Sequence, residues 1–103
     1  MSIESVIQAQ IEANDVVLYM KGTKDFPMCG FSGQVVSVLK QYKVEFTCYN
    51  ILEDAALRQG IKEFSDWPTI PQLYVNGEFV GGCDIITEMH QAKQLSELFD
   101  SVI

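Results

Sequence analysis

The chain has 103 residues, 48% of them hydrophobic, and carries fourteen acidic against seven basic side chains, a formal net charge of −7. That length fits a single domain, residues 1–103, whose core needs no disulfide framework, and the acidic balance argues against nucleic-acid partners, which demand clustered Lys and Arg. No apolar run can span a membrane, no signal-peptide pattern opens the chain, and three irregularly spaced cysteines suit free thiols, so a cytoplasmic protein is expected, in a bacterial cytosol or in an organelle matrix after processing.

The periodicities alternate between helix and strand with no linker or repeat. Ser2 is placed to cap a first helix whose buried stripe is Ile3, Val6, Ile7 and Ile11, and Asn14-Asp15 ends it. Val16 to Met20 is a short apolar strand, after which Lys21-Gly22-Thr23 and a polar loop lead to Pro27-Met28 and Cys29. Val35, Val38, Leu39 and Tyr42 mark the buried face of a second helix. Residues 45–50 alternate as a second strand. Asp54 then caps a third helix with Leu57, Ile61 and Phe64 inward, in spite of Gly60, which costs a helix about 1 kcal/mol relative to alanine. Trp67-Pro68-Thr69-Ile70-Pro71 stops the helical pattern, and Asn76-Gly77 is a two-residue hairpin signal between two further strands. Asp84 opens one final helical region that holds Ile85, Ile86, Met89, Leu95, Leu98 and Phe99. The order αβαβαββα describes an α/β fold, a small mixed four-stranded sheet flanked by helices.

The chemistry centres on Cys29-Gly30-Phe31-Ser32, where serine stands in place of the second cysteine of a dithiol redox motif. A lone cysteine is more often a small buried hydrophobe than a reactive group, but a helix start and a nearby Lys21 both favour its thiolate. Ser32 reads equally well as an ordinary first-turn residue, and it cannot resolve a mixed disulfide. Arg58 and Lys62, four apart on one helix face, read on composition as solvated surface, and Gly81-Gly82-Cys83-Asp84 as a strand end turning into an Asp-capped helix. Cys48, in an alternating strand, reads as structural. His90, the sole histidine, reads as a surface residue, one imidazole being too few for a zinc site.

Lys21-Gly22, Cys29-Gly30-Phe31-Ser32, Trp67-Pro68-Thr69-Ile70-Pro71 and Gly81-Gly82-Cys83-Asp84, in this order, resemble the monothiol glutaredoxins of the CGFS type, which have a thioredoxin-like fold. The likeness runs from about Ile3 to the last helix, and residues 23–27 look like the longer loop of that family. It implies a reactive Cys29 and a glutathione site made of Lys21, Phe31, Arg58, Lys62, Thr69, Ile70, Pro71, Gly82, Cys83 and Asp84. Arg58, with Lys62 beside it, would take a glutathione carboxylate. Ile70, before a cis Pro71, would pair with the glutathione backbone, although only about one X-Pro bond in twenty is cis. The start of the last helix would receive the γ-glutamyl carboxylate and Asp84 the amino group, with Cys83 a candidate resolving thiol. The function so implied is the assembly or transfer of a labile [2Fe-2S] cluster, held by Cys29 of two subunits and two glutathione sulfurs in a cluster-bridged homodimer. BolA-like proteins and apo iron-sulfur recipients would be the partners. The alternative is glutathione-dependent reduction of protein mixed disulfides, which also needs one cysteine; the longer loop between Lys21 and Cys29 favours the carrier.

Overall fold

The structure, a computed structural model, describes residues 2–100 and 102. Helix α1 (Ile3–Ala13) leads into β1 (Val16–Met20), α2 (Gly30–Lys40) and β2 (Thr47–Asn50). A 3₁₀ turn at Ile51–Glu53 precedes α3 (Ala55–Ser65), the hairpin β3 (Gln72–Val75) and β4 (Glu78–Gly81), then α4 (Cys83–Gln91) and α5 (Leu95–Asp100). The sheet runs β2-β1-β3-β4, with β1 and β2 parallel and the other two pairs antiparallel. This is the expected mixed four-stranded sheet flanked by helices.

Its central strand explains the unbroken apolar run of residues 16–20. Val16, Leu18 and Met20 face a core shared with α2, α4 and α5, whereas Val17 and Tyr19 face a second core with Ile7, Ile11, Leu57 and Ile61 of α1 and α3. A strand covered on both faces has no polar side. Tyr19 buries its ring and satisfies its hydroxyl on Gln10 Oε1 at 2.8 Å.

Several local readings hold at atomic detail. Ser2 Oγ accepts the Ser5 N–H at 3.2 Å, and Asp54 Oδ1 accepts that of Leu57 at 3.0 Å, as N-caps should. Asn76 and Gly77 both take positive φ, 52° and 81°, which the two-residue hairpin turn requires. Other readings shift. β2 begins at Thr47, because Glu45 and Phe46 form a lead-in outside the ladder. The final helical region is two helices, broken where Lys93 turns to φ 61°. α4 starts at Cys83 behind Gly82, so Asp84 is its second residue and not its cap. His90 is half-buried and not simply surface: Tyr42 Oη meets its Nδ1, tying the end of α2 to α4.

Gly60 has a packing reason. A Cβ there would lie 2.6 Å from Ile3 Cγ1 and 3.0 Å from Cγ2, so the missing side chain is what lets α1 approach α3. Gly60→Ala gains about 1 kcal/mol of helix propensity but meets an overpacking cost of about 1–3 kcal/mol. We expect a net loss of about 1 kcal/mol in urea unfolding, absent when Ile3 is alanine. A Gly60→Ala protein more stable than the parent on the Ile3 background would contradict this packing account.

Candidate functional site

The end of β1 and the start of α2 are joined through one side chain. Ser32, in the first turn of α2, is fully buried, and its Oγ accepts the Lys21 backbone N–H at 3.1 Å. Between these points the chain makes a compact loop: Met28 N–H donates to Lys21 O at 2.9 Å, Gly22 bridges to Pro27, and Gly22 N–H donates to Asn50 Oδ1 at 2.9 Å. Gly22 sits at φ 93°, and a Cβ on it would fall 2.5 Å from Phe26 O and 2.6 Å from Met28 N. Only glycine fits that turn.

The loop delivers Cys29 to the N-cap position of α2 in an extended conformation. Its thiol pKa lies below the ordinary value. The backbone N–H of Ser32 is the largest cause; the Phe31 N–H, the Lys21 ammonium and the Ser32 hydroxyl add to it, against a partial burial that opposes ionisation. Sequence reasoning credited the helix start and Lys21; the structure ranks the N–H groups first and adds a hydroxyl that the sequence did not reveal. Cys48 behaves oppositely, burial pushing its thiol up to about 11, in keeping with a structural role. Around Cys29 the loop exposes Phe26 and Met28 and the first turn of α2 exposes Phe31, which are 77%, 69% and 62% accessible.

Three other segments complete a groove of about 430 Å³. Arg58 and Lys62 project from α3. Thr69, Ile70 and Pro71 form a second wall, with a cis bond between Ile70 and Pro71 as the resemblance implied. Gly82, Cys83 and Asp84 enter from the start of α4. All eleven residues singled out from the sequence, Lys21, Cys29 and Phe31 included, line this one groove. Trp67, Pro68 and Ile85 also line it and were missed as site residues, the tryptophan and proline because they read only as helix stops, Ile85 because it matched a buried helical stripe.

Two further residues shape the walls. Gln72 is fully buried, and its Nε2 donates to Trp67 O at 3.1 Å and Thr69 O at 3.2 Å, fixing the loop before Pro71. Nothing in the sequence separated it from an ordinary strand residue. Gly82 lies where a Cβ would come within 3.2 Å of Pro71 O and 3.3 Å of Trp67 Nε1, so its bare backbone brings α4 against that loop. The Trp67 Nε1 beside it is buried without an acceptor among the described residues.

Electrostatically the groove gathers Lys21, Arg58, Lys62 and the N-termini of α2 and α4, opposed by Asp84. In a chain of net charge −7 this is a local concentration of positive charge, which favours an anion over a cation. Among the described residues no group of three or more His, Cys, Asp or Glu could hold a metal ion. No helix among the described residues is long and apolar enough to cross a membrane.

Comparison with known proteins agrees with this architecture. The glutaredoxin family model matches residues 16–80. The chain is 55% identical over 100 residues to a mitochondrial monothiol glutaredoxin-5 of Lachancea kluyveri, covering 94% of this chain and 70% of that protein. It is 56% identical over 92 residues to a probable monothiol glutaredoxin 2 of Rickettsia typhi, covering 89% of this chain and 83% of that one. The solution structure of reduced poplar apo GrxS14 superposes with a TM-score of 0.84 at 49% identity, over 96% of this chain and 91% of that one. A buckwheat glutaredoxin–glutathione complex shares the fold, with a TM-score of 0.85 at 19% identity, over 96% of this chain and 88% of that one.

The Ser32 bridge generates a test. Ser32→Ala leaves the Lys21 N–H without its acceptor, a loss of about 1–3 kcal/mol in stability, and withdraws one donor from the sulfur. The pH profile of Cys29 alkylation should move upward, because the lowered pKa keeps thiolate present at lower pH and the variant gives up part of that. The shift should be partial, since the main-chain N–H groups remain. An unmoved profile would show that the hydroxyl does not act on Cys29.

Proposed function

The chain belongs to the monothiol glutaredoxin family, and from that membership and the groove's geometry we propose that it binds glutathione and assembles or passes on a labile [2Fe-2S] cluster. The observation that carries the reading is a partly exposed Cys29 at the N-cap of α2, its third neighbour a buried serine and its thiol pKa lowered by the backbone N–H of Ser32, at the mouth of a groove lined by three cations. A cluster has four ligand places, mostly thiolate, and one Cys29 fills one of them. Two chains and two glutathione molecules would fill the set and bridge a homodimer, with the cluster as cargo. The exposed Phe26, Met28 and Phe31 would lie at that junction. Ligands that are not part of the protein suit release to apo iron-sulfur recipients, and a BolA-like protein would be the second partner. The reducing compartment would be a bacterial cytosol or an organelle matrix.

Glutathione fits the groove on chemical grounds. Its two carboxylates would meet Arg58 and Lys62 on one side and the N-terminus of α4 on the other, with Asp84 left for the amino group, as all of these line one groove. Lys21 lies beside the thiol, and the Thr69–Pro71 segment offers its backbone. Phe31 and Cys83 line the sulfur end with Cys29.

The lowered pKa of Cys29 also supports a second reading, reduction of glutathione mixed disulfides. The Cys29 thiolate would attack the glutathione sulfur of a protein–glutathione disulfide, forming its own mixed disulfide and releasing the protein thiolate. A second glutathione thiolate would then attack that sulfur, release glutathione disulfide and regenerate Cys29. No second protein cysteine is used.

Parallel anaerobic reconstitution with iron, sulfide and glutathione distinguishes the roles of the cysteines. We expect Cys29→Ser to stay colourless and Cys48→Ser to match the parent, with at most a partial loss in Cys83→Ser. A folded but colourless Cys48→Ser protein would overturn the assignment. A colourless parent that still reduces mixed disulfides would leave the second reading in place. Arg58→Ala should weaken glutathione binding about fivefold, close to 1 kcal/mol, because the guanidinium is exposed and solvent screens it. Calorimetric titration of the apo protein checks this, and unchanged affinity would return that helix face to plain surface.

A further inference from the structure

The cations of this acidic protein are not dispersed. Of seven, Lys21, Arg58 and Lys62 line the Cys29 groove, and Lys24, Lys40 and Lys43 line a second groove of about 790 Å³, leaving only Lys93 elsewhere. The second groove lies at the other end of β1, between the close of α1, the C-terminal end of α2 and the lead-in to β2. We propose that it is a docking site for an acidic segment of a partner protein, one that spaces its carboxylates with small polar side chains.

Lysine ammoniums on a protein surface are ordinarily mobile, and two of these are held. Lys24 Nζ donates to Phe46 O at 2.6 Å and sits 4.6 Å over the Phe46 ring, and Lys40 Nζ donates to Lys24 O at 3.3 Å. Each of these contacts uses one of three ammonium donors and neutralises no charge. Among the described residues none of the three ammoniums is ion-paired with a carboxylate, although Asp15 and Glu45 also line the groove. Fixed, uncompensated cations with free donors have lost part of their side-chain entropy before any ligand arrives, which lowers the cost of binding an anion.

The remaining lining selects among anions. Asp15, Glu45 and the net charge of the chain repel every anion, and a dense polyanion such as a nucleic-acid backbone most, so carboxylates spaced to meet the three lysines are penalised least. The groove has little apolar surface to offer, since Val16, Val44 and Phe46 line it but are buried in the core, so charge and not apolar contact would hold the segment. β2 is an edge strand, and the groove runs onto its first residue, Thr47, where an extended segment can lie alongside. The site is independent of the glutathione reading, because the two grooves share no lining residue.

The probe is a fluorescent decapeptide of alternating glutamate and serine, titrated into the apo protein at low and at physiological salt, with a lysine–serine peptide and a polyphosphate in parallel. We expect the acidic peptide alone to bind, more weakly as salt rises, with amide shifts confined to residues 13–16, 24, 40 and 43–47. Lys40→Glu with Lys43→Glu, both at exposed positions, should weaken it at least tenfold with an unchanged circular dichroism spectrum, and Arg58→Glu should leave it within twofold. If the double variant does not fold, the amide shifts of the parent decide alone. Shifts around Cys29, equal binding to the double variant, tighter binding of polyphosphate, or no shift up to millimolar peptide would each overturn the proposal.

Discussion

The Lys21 N–H bond to Ser32 Oγ, 3.1 Å long, joins the end of the central strand to the first turn of α2, and the placing of Cys29 depends on that joint. β1 is fixed because both its faces are buried, so its last residue is an anchored point in the molecule. The buried serine transmits that position to α2. The loop between them, folded over Gly22, can then reach only one place with its final residue. Cys29 therefore stands in front of backbone N–H groups that cannot turn away, and a carboxylate or thiolate there is stabilised without reorganisation. Serine at this position removes a resolving thiol and supplies a structural hydroxyl at the same time.

The second constraint is the close approach of the remaining walls. Gly82 lets α4 meet the Trp67–Pro71 loop, Gln72 holds that loop by two of its carbonyls, and Gly60 lets α1 sit against the helix that carries Arg58 and Lys62. Each is a small or buried residue whose work is geometric. Their sum is a groove with three cations and two helix starts facing one sulfur, in a protein of net charge −7. Exposed single charge pairs contribute at most about 1 kcal/mol, so the anion preference of the groove comes from convergence and not from any one residue.

Much of this was legible in the chain. The apolar run of β1, the caps Ser2 and Asp54, and the Asn76-Gly77 turn are local signals, and local signals survive folding. The motif residues converge as the resemblance implied, since their spacing matches a fold that brings four separate segments to the ends of the strands. What the sequence hid is contact between distant positions. Gly60 reads as a helix defect until Ile3 is seen against it. Gln72 is indistinguishable from any strand residue, and Tyr42 gives no sign of His90, 48 positions away. The break at Lys93 was missed because apolar spacing continues across it, and Asp84 was read as a cap because Gly82 offers no side chain to mark the true one.

The central claim, that one Cys29 per chain and glutathione together complete the ligand set of a cluster shared by two chains, is tested most directly by native mass spectrometry of the reconstituted protein under anaerobic conditions. The account predicts one species of two chains, two glutathiones, two irons and two sulfides, which falls to intact folded monomers when the iron is chelated. A cluster carried by a single chain, or a cluster-bearing dimer without glutathione, would contradict it.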